Sequence, residues 1–310
     1  MNTTIFIGTE LGLYRLEKSG SRDRFSPQNI FPGKRIVDIA VLSQALFAAV
    51  SGEGVFRSVN FGNSWQQIFS EPPTCLQADS RLWVGTANCG LYRSPDGGDI
   101  WENLTPALHA ANSADEWYPP LFADEPQVST IAISPVTQTV MVGIKNGGTV
   151  LSTDGGAHWS LTDDLPDENV HRLRAHPFLP EQWLAGTGGG IFFSGDDGRH
   201  WEEMMAGIDL FFSTDVFISA DGRYFAAASG TPPGNWVENS WSTLFSVEHA
   251  GDEWQPVSLP RAEYITVFAQ ADSQHLVFGT QSGAVYRETG REWQMVGQVS
   301  GAITALCGNW

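Results

Sequence analysis

Short apolar pentamers recur along this chain: IFIGT (5–9), LFAAV (46–50), LWVGT (82–86), VMVGI (140–144), WLAGT (183–187), YFAAA (224–228) and LVFGT (276–280). Each is followed by a second apolar–polar run: LYRL (13–16), VFRS (55–58), LYRS (91–94), VLST (150–153), IFFS (191–194), LFSV (244–247) and VYRE (285–288). Runs this short, rich in β-branched and aromatic residues and bounded by Gly, Ser and Asn, read as strands. Seven copies at a period of roughly 45 residues predict one small sheet per repeat, arranged radially. The expected fold is all-β, a seven-bladed β-propeller of four-stranded antiparallel blades.

The chain opens directly on a pentamer, so the first repeat lacks an inner strand at its own start. The run Ala302–Cys307 has the pattern to supply it, as VDIAVL (37–42) and STIAIS (129–134) do for their repeats. The C-terminal strand is therefore expected to pair into blade one and close the ring, which removes the free sheet edges. The repeat continues across residues 1–310 with no break in composition, so a single domain is expected.

The turn after the second run carries its own pattern, Ser-x-Asp-x-Gly-x-x-Trp. It is complete as Ser94, Asp96, Gly98 and Trp101, as Ser152, Asp154, Gly156 and Trp159, and as Ser194, Asp196, Gly198 and Trp201. Blade two has Asn60 in the Asp position, with Ser58, Gly62 and Trp65 in place. A short carboxylate or amide accepts backbone N–H bonds, Gly takes a positive φ, and Trp covers the turn. This pattern resembles the BNR or Asp-box repeat of sialidases, sortilin-type receptors, xyloglucanases and photosystem assembly factors. The resemblance covers nearly the whole chain and implies the propeller fold. It does not select a function, since the box occurs in enzymes and binders alike. Sialidase chemistry, which the resemblance also raises, is not expected. Arg15, Arg57, Arg93 and Arg287 recur at one strand position as scaffold residues, and the Phe/Tyr-Arg-Ile-Pro signature is missing.

Composition narrows the partners. A formal net charge of −18 and a pI near 4.6 repel phosphate backbones and anionic lipid, so neither nucleic acid nor membrane is an expected partner. The sparse cysteines Cys75, Cys89 and Cys307 lack metal-type spacing, and no leader-like segment is visible, so a cytoplasmic protein is expected. A metal set of Cys75, Cys89, His109 and His171 has no specific spacing, and none is expected. The glycine runs at 147–148 and 188–190 lead into strands, not helices, so no phosphate cradle and no cofactor is expected.

Strand alternation sorts the loops. Loops entering a blade and loops joining its second and third strands share one face, the entry face; the Asp-type turns lie on the far face. Two long excursions fall on the entry face. One runs from about Asn103 to Gln127 with Trp117 and Tyr118, and the other from Ser229 to Thr243 with Trp236 and Trp241. The blade-five connection between them is bare (Thr187, Gly188, Gly189, Gly190), so a pocket walled by aromatics is expected over blades three to six. Lys145, His171, Arg172 and Glu263 complete the candidate ligand-binding set, with Trp117 and Trp236 expected to be exposed. Glu10, Glu53, Glu263 and Asp215 are the carboxylates that could do acid–base work there. No nucleophile–base constellation stands out, so a binding propeller for a small molecule, glycan, protein or peptide is the expected function. The alternative is a glycan-processing hydrolase or lyase using Asp/Glu pairs on the same face.

Overall fold

The computed structural model describes residues 4–18, 25–111, 117–120, 125–162, 165–231, 241–272, 274–290 and 292–308. Its strands form seven four-stranded antiparallel sheets, each taken in chain order from an inner to an outer strand. Blade one alone mixes the two ends of the chain. Its inner strand, Ile303–Cys307, pairs with Thr4–Thr9, so the C-terminal strand closes the ring as the repeat pattern predicts. The other inner strands are Ile36–Leu42, Pro73–Ala78, Gln127–Ile133, Val170–Ala175, Phe212–Ile218 and Ile265–Asp272. Consecutive inner strands touch in an unbroken cycle around a central channel.

Apolar side chains from the alternating strands form seven clusters, one in each gap between neighbouring blades. Among the described residues the core lies in these gaps and not at the centre; each sheet buries both of its faces against a neighbour, which explains why the pentamers are apolar throughout rather than alternating. Their fourth residue is Gly in five blades because adjacent blades meet there. A Cβ on Gly85 would lie 2.6 Å from Val128 of the next blade, and one on Gly279 would lie 2.5 Å from Ile303.

The turns after the third strands have the geometry their sequence predicts. Ser94 Oγ donates to Asp96 Oδ1, which accepts the N–H groups of Asp99 and Ile100, and the Gly98 N–H donates to Ser94 Oγ. The same network recurs at Ser152–Asp154. The repeated arginines tie these turns together. Arg15 donates to the Phe61 carbonyl, Arg57 to that of Gly97, and Arg93 to that of Gly155, each one blade onward.

Candidate functional site

Every inner strand breaks register with its partner near its entry-face end. The bulged residues are Val37, Thr74, Ser129, His171, Thr214, Thr266 and Thr304. A bulge inserts one unpaired residue and re-aims its side chain. All seven line a funnel of about 550 Å³ at the entry-face mouth of the channel. Five of these seven side chains carry hydroxyls, which satisfy neighbouring carbonyls: Thr74 donates to Val128 O at 2.6 Å and Thr304 to Ile36 O at 2.6 Å. The upper wall adds Glu10, Arg35, Gln127, Lys145, Phe212 and Tyr264.

His171 is the one imidazole in this ring. Its Nδ1 lies 2.9 Å from the Ser213 carbonyl, which can only accept, so Nδ1 carries the proton in the neutral ring and Nε2 is left as an acceptor. Its ring packs on Phe212 with centroids 4.8 Å apart. Burial pushes its pKa down to about 4; the Ser213 bond opposes the shift and the nearby Lys145 charge adds to it. Burial lowers Lys145 as well.

One residue further along the strands, the side chains serve the scaffold. The inner strands expose one row of backbone N–H groups to the channel, and carboxylates cap part of it. Asp38 accepts from Ile39 N at 2.9 Å and from Leu76 N of the next blade at 3.0 Å. Asp215 repeats this with Val216 at 2.9 Å and Phe268 at 2.7 Å, and also receives Arg172 Nε at 3.0 Å. Burial raises the Asp38 pKa, with the charge of Arg172 opposing it.

The expected site is therefore brought together only in part. Lys145 and His171 line the funnel. Tyr118 (58 % exposed) and Trp241 (59 %) are open to solvent on entry-face loops. Trp236 lies outside the described residues. Three expectations are corrected. Trp117 is only 9 % exposed and joins the cluster between blades three and four, because Gly147 leaves a space that its indole edge fills. Arg172 points below the funnel to Asp215, since the bulge at His171 displaces its neighbour from the mouth. Glu263 is buried, receiving Ser282 Oγ at 2.8 Å and the Tyr286 hydroxyl at 3.4 Å. Of the acid–base candidates, Asp215 is thus a strand cap, and Glu53 is held by Lys34 at 2.6 Å.

The bare blade-five connection is also occupied. A Cβ on Gly188 would meet Asn169 at 2.6 Å and one on Gly189 would meet Asp167 at 2.2 Å, so the incoming loop packs directly over it. Beside that loop lies an open cleft of about 720 Å³ lined by Asn146, Asp167, Glu168, Gly189 and Glu203 among others. The sequence does not single out Asp167, Glu168 or Glu203, which stand at loop and outer-strand positions without repeat spacing. Cys75, Cys89, His109 and His171 do not converge; among the described residues no group of three or more His, Cys, Asp or Glu could hold a metal ion.

No protein-family model matches the chain, and no curated protein matches it. Solved structures do. The GH74 xyloglucanase from Xanthomonas campestris is similar with a TM-score of 0.70 at 14 % identity, covering 95 % of this chain and 52 % of that one. An ancestral GH74 enzyme has a TM-score of 0.63 at 15 % identity, covering 87 % of this chain and 38 % of that one. YCF48 bound to D1 peptide has a TM-score of 0.63 at 16 % identity, covering 96 % and 89 %. The chain thus spans about half or less of these GH74 enzymes and most of the YCF48 chain. At such identities the likeness shows the fold: a seven-bladed propeller of a shape used by both glycan enzymes and peptide binders.

Proposed function

We propose that this chain is an Asp-box propeller of the binding type, whose entry-face funnel receives a segment of a partner protein or peptide. The observation that carries this reading is the convergence of seven bulged side chains, one per blade, on a single cavity of about 550 Å³. Exposed Leu11, Tyr118, Phe211 and Trp241 stand on loops of the same face. A polar floor within an apolar rim suits an extended segment, whose backbone needs donors and acceptors while its side chains need apolar anchors. Lys145 and Arg35 outnumber Glu10 at the mouth and leave it positive in an otherwise acidic molecule, which favours a segment carrying a carboxylate. On this reading Tyr118, Lys145, His171 and Trp241 touch the ligand, while Trp117, Arg172 and Glu263 support the site from beneath. The similar fold of YCF48 in its peptide complex agrees with it. Three free thiols suit a reducing compartment, and we propose the cytoplasm.

Selection of a displayed random-peptide library against the protein tests the proposal. Enriched peptides should bind at least tenfold more weakly to a His171→Ala/Lys145→Glu double variant, measured by fluorescence anisotropy. Failure to enrich, or equal binding to the folded variant, would sink it. One observation favours a second reading: Asp167, Glu168 and Glu203 line one open cleft, and close carboxylates can act as acid and base on a glycosidic bond. Incubation with a polysaccharide panel including xyloglucan decides it, because turnover that vanishes in Glu203→Gln would replace binding by hydrolysis.

A further inference from the structure

The layer of Asp38, Arg172 and Asp215 divides the channel, and below it a second cavity of about 530 Å³ faces the far side. Arg172 and Arg174 both enter this cavity from one strand of blade five. They share a single carboxylate unequally. Arg172 Nε donates to Asp215 Oδ1 at 3.0 Å, while Arg174 comes no closer to that oxygen than 3.7 Å, too far for a hydrogen bond. Arg174 Nη1 reaches only its neighbour's carbonyl, Leu173 O, at 3.3 Å. Among the described residues its buried Nε has no acceptor. The guanidinium lies over Phe217, 5.2 Å from the ring centroid, with its side chain one-fifth exposed to the cavity. The layer's other carboxylate, Asp38, accepts the backbone N–H groups of Ile39 and Leu76, and among the described residues it makes no hydrogen bond to Arg174.

A buried guanidinium without its acceptors is costly, and an incoming anion relieves it. We propose that this far-side cavity binds a small monoanionic carboxylate, with its oxygens on Arg174 and its apolar body against Phe217, Phe268 and Leu306. A cavity of this volume is of the size used for small ligands. The donors select a monoanion: one carboxylate can use the unfilled N–H groups of Arg174, whereas a second negative charge would find no further cation and would face Asp38, Asp215 and Asp272. Burial also pushes the Arg174 pKa down to about 10, the direction that a neighbouring anion reverses. The site opens opposite the funnel and stands independently of the function proposed for it.

Titration calorimetry of the full chain tests this with three probes: sodium benzoate, its neutral isostere benzamide, and inorganic phosphate. Benzoate should bind, benzamide and phosphate should bind at least tenfold more weakly, and Arg174→Gln should weaken benzoate at least tenfold. A second measurement needs no variant. In the ¹⁵N-arginine-labelled wild type, benzoate should shift the Arg174 Nε–H resonance. Absent benzoate binding, phosphate or benzamide binding as tightly as benzoate, undiminished affinity in folded Arg174→Gln, or an unmoved Nε–H resonance would each overturn the proposal.

Discussion

The bulge at the mouth of each inner strand decides what a single residue can do. His171 is held in the channel wall by the Ser213 carbonyl, beside Phe212 and near Lys145, and its folded-state pKa falls to about 4. The unfolded chain, with an ordinary value of about 6.5, takes up the proton first. The stability linked to His171 is therefore complete above about pH 6.5 and is lost as pH falls through about 4. Wild-type unfolding free energy should drop by about 1–3 kcal/mol more than that of His171→Gln between pH 7 and pH 4, a figure reduced for partial solvent screening. Urea titrations of both proteins across that range check it, and parallel pH profiles would show that the ring titrates freely. His171 lines the mouth and Arg172 lies below it for one reason. A strand alternates its side chains, and an extra residue re-aims everything beyond it. Apolar periodicity does not mark where that extra residue sits.

At the scale of the hairpin, the tryptophans that follow the third strands are not equivalent. Trp254 is fully buried between blades five and six, and its Nε1 donates to Met204 O at 2.8 Å. Trp159 is only half-buried and donates within its own turn to Gly156 O at 3.1 Å. Replacing Trp254 by Ala removes packing and leaves a buried carbonyl unpaired, so a loss of roughly 3–5 kcal/mol is expected. Trp159→Ala should cost clearly less, and chemical denaturation of the two variants side by side measures the difference. Equal losses would mean that these turns stabilise the fold locally and not through the neighbouring blade. The pentamers, the runs after them and the Ser-x-Asp-x-Gly turns were legible because each satisfies its own short-range rule. The position of Trp117 was not, because a tryptophan in a long loop reads as exposed until the space above Gly147 is known. The same holds for the bare glycines of blade five, which admit the Asp167–Asn169 loop rather than a ligand.

For the molecule as a whole, stability rests on seven interfaces and on one strand that joins the two ends of the chain. Ile303, Ala305 and Leu306 are buried, and they belong to the clusters on both sides of blade one. Thr304 reaches across to Ile36 O in blade two, so the closing strand also fixes the funnel. Removing residues 302–310 would strip blade one to three strands, bare the edge of Thr4–Thr9 and uncover apolar surface in two interfaces at once. Burying each large aliphatic side chain contributes roughly 1.5–3 kcal/mol, and an open sheet edge invites pairing with another chain. The truncated protein should therefore unfold at markedly lower urea concentration and elute as aggregates in size-exclusion chromatography. Because each blade packs against its neighbours, the loss should begin at blade one and the flanking blades seven and two, where amide exchange rises first, and reach blades four and five last. A truncated chain that stays monomeric with unchanged exchange in blade one would mean that the ring holds without its clasp, and that the bulged residue Thr304 is not needed to shape the mouth.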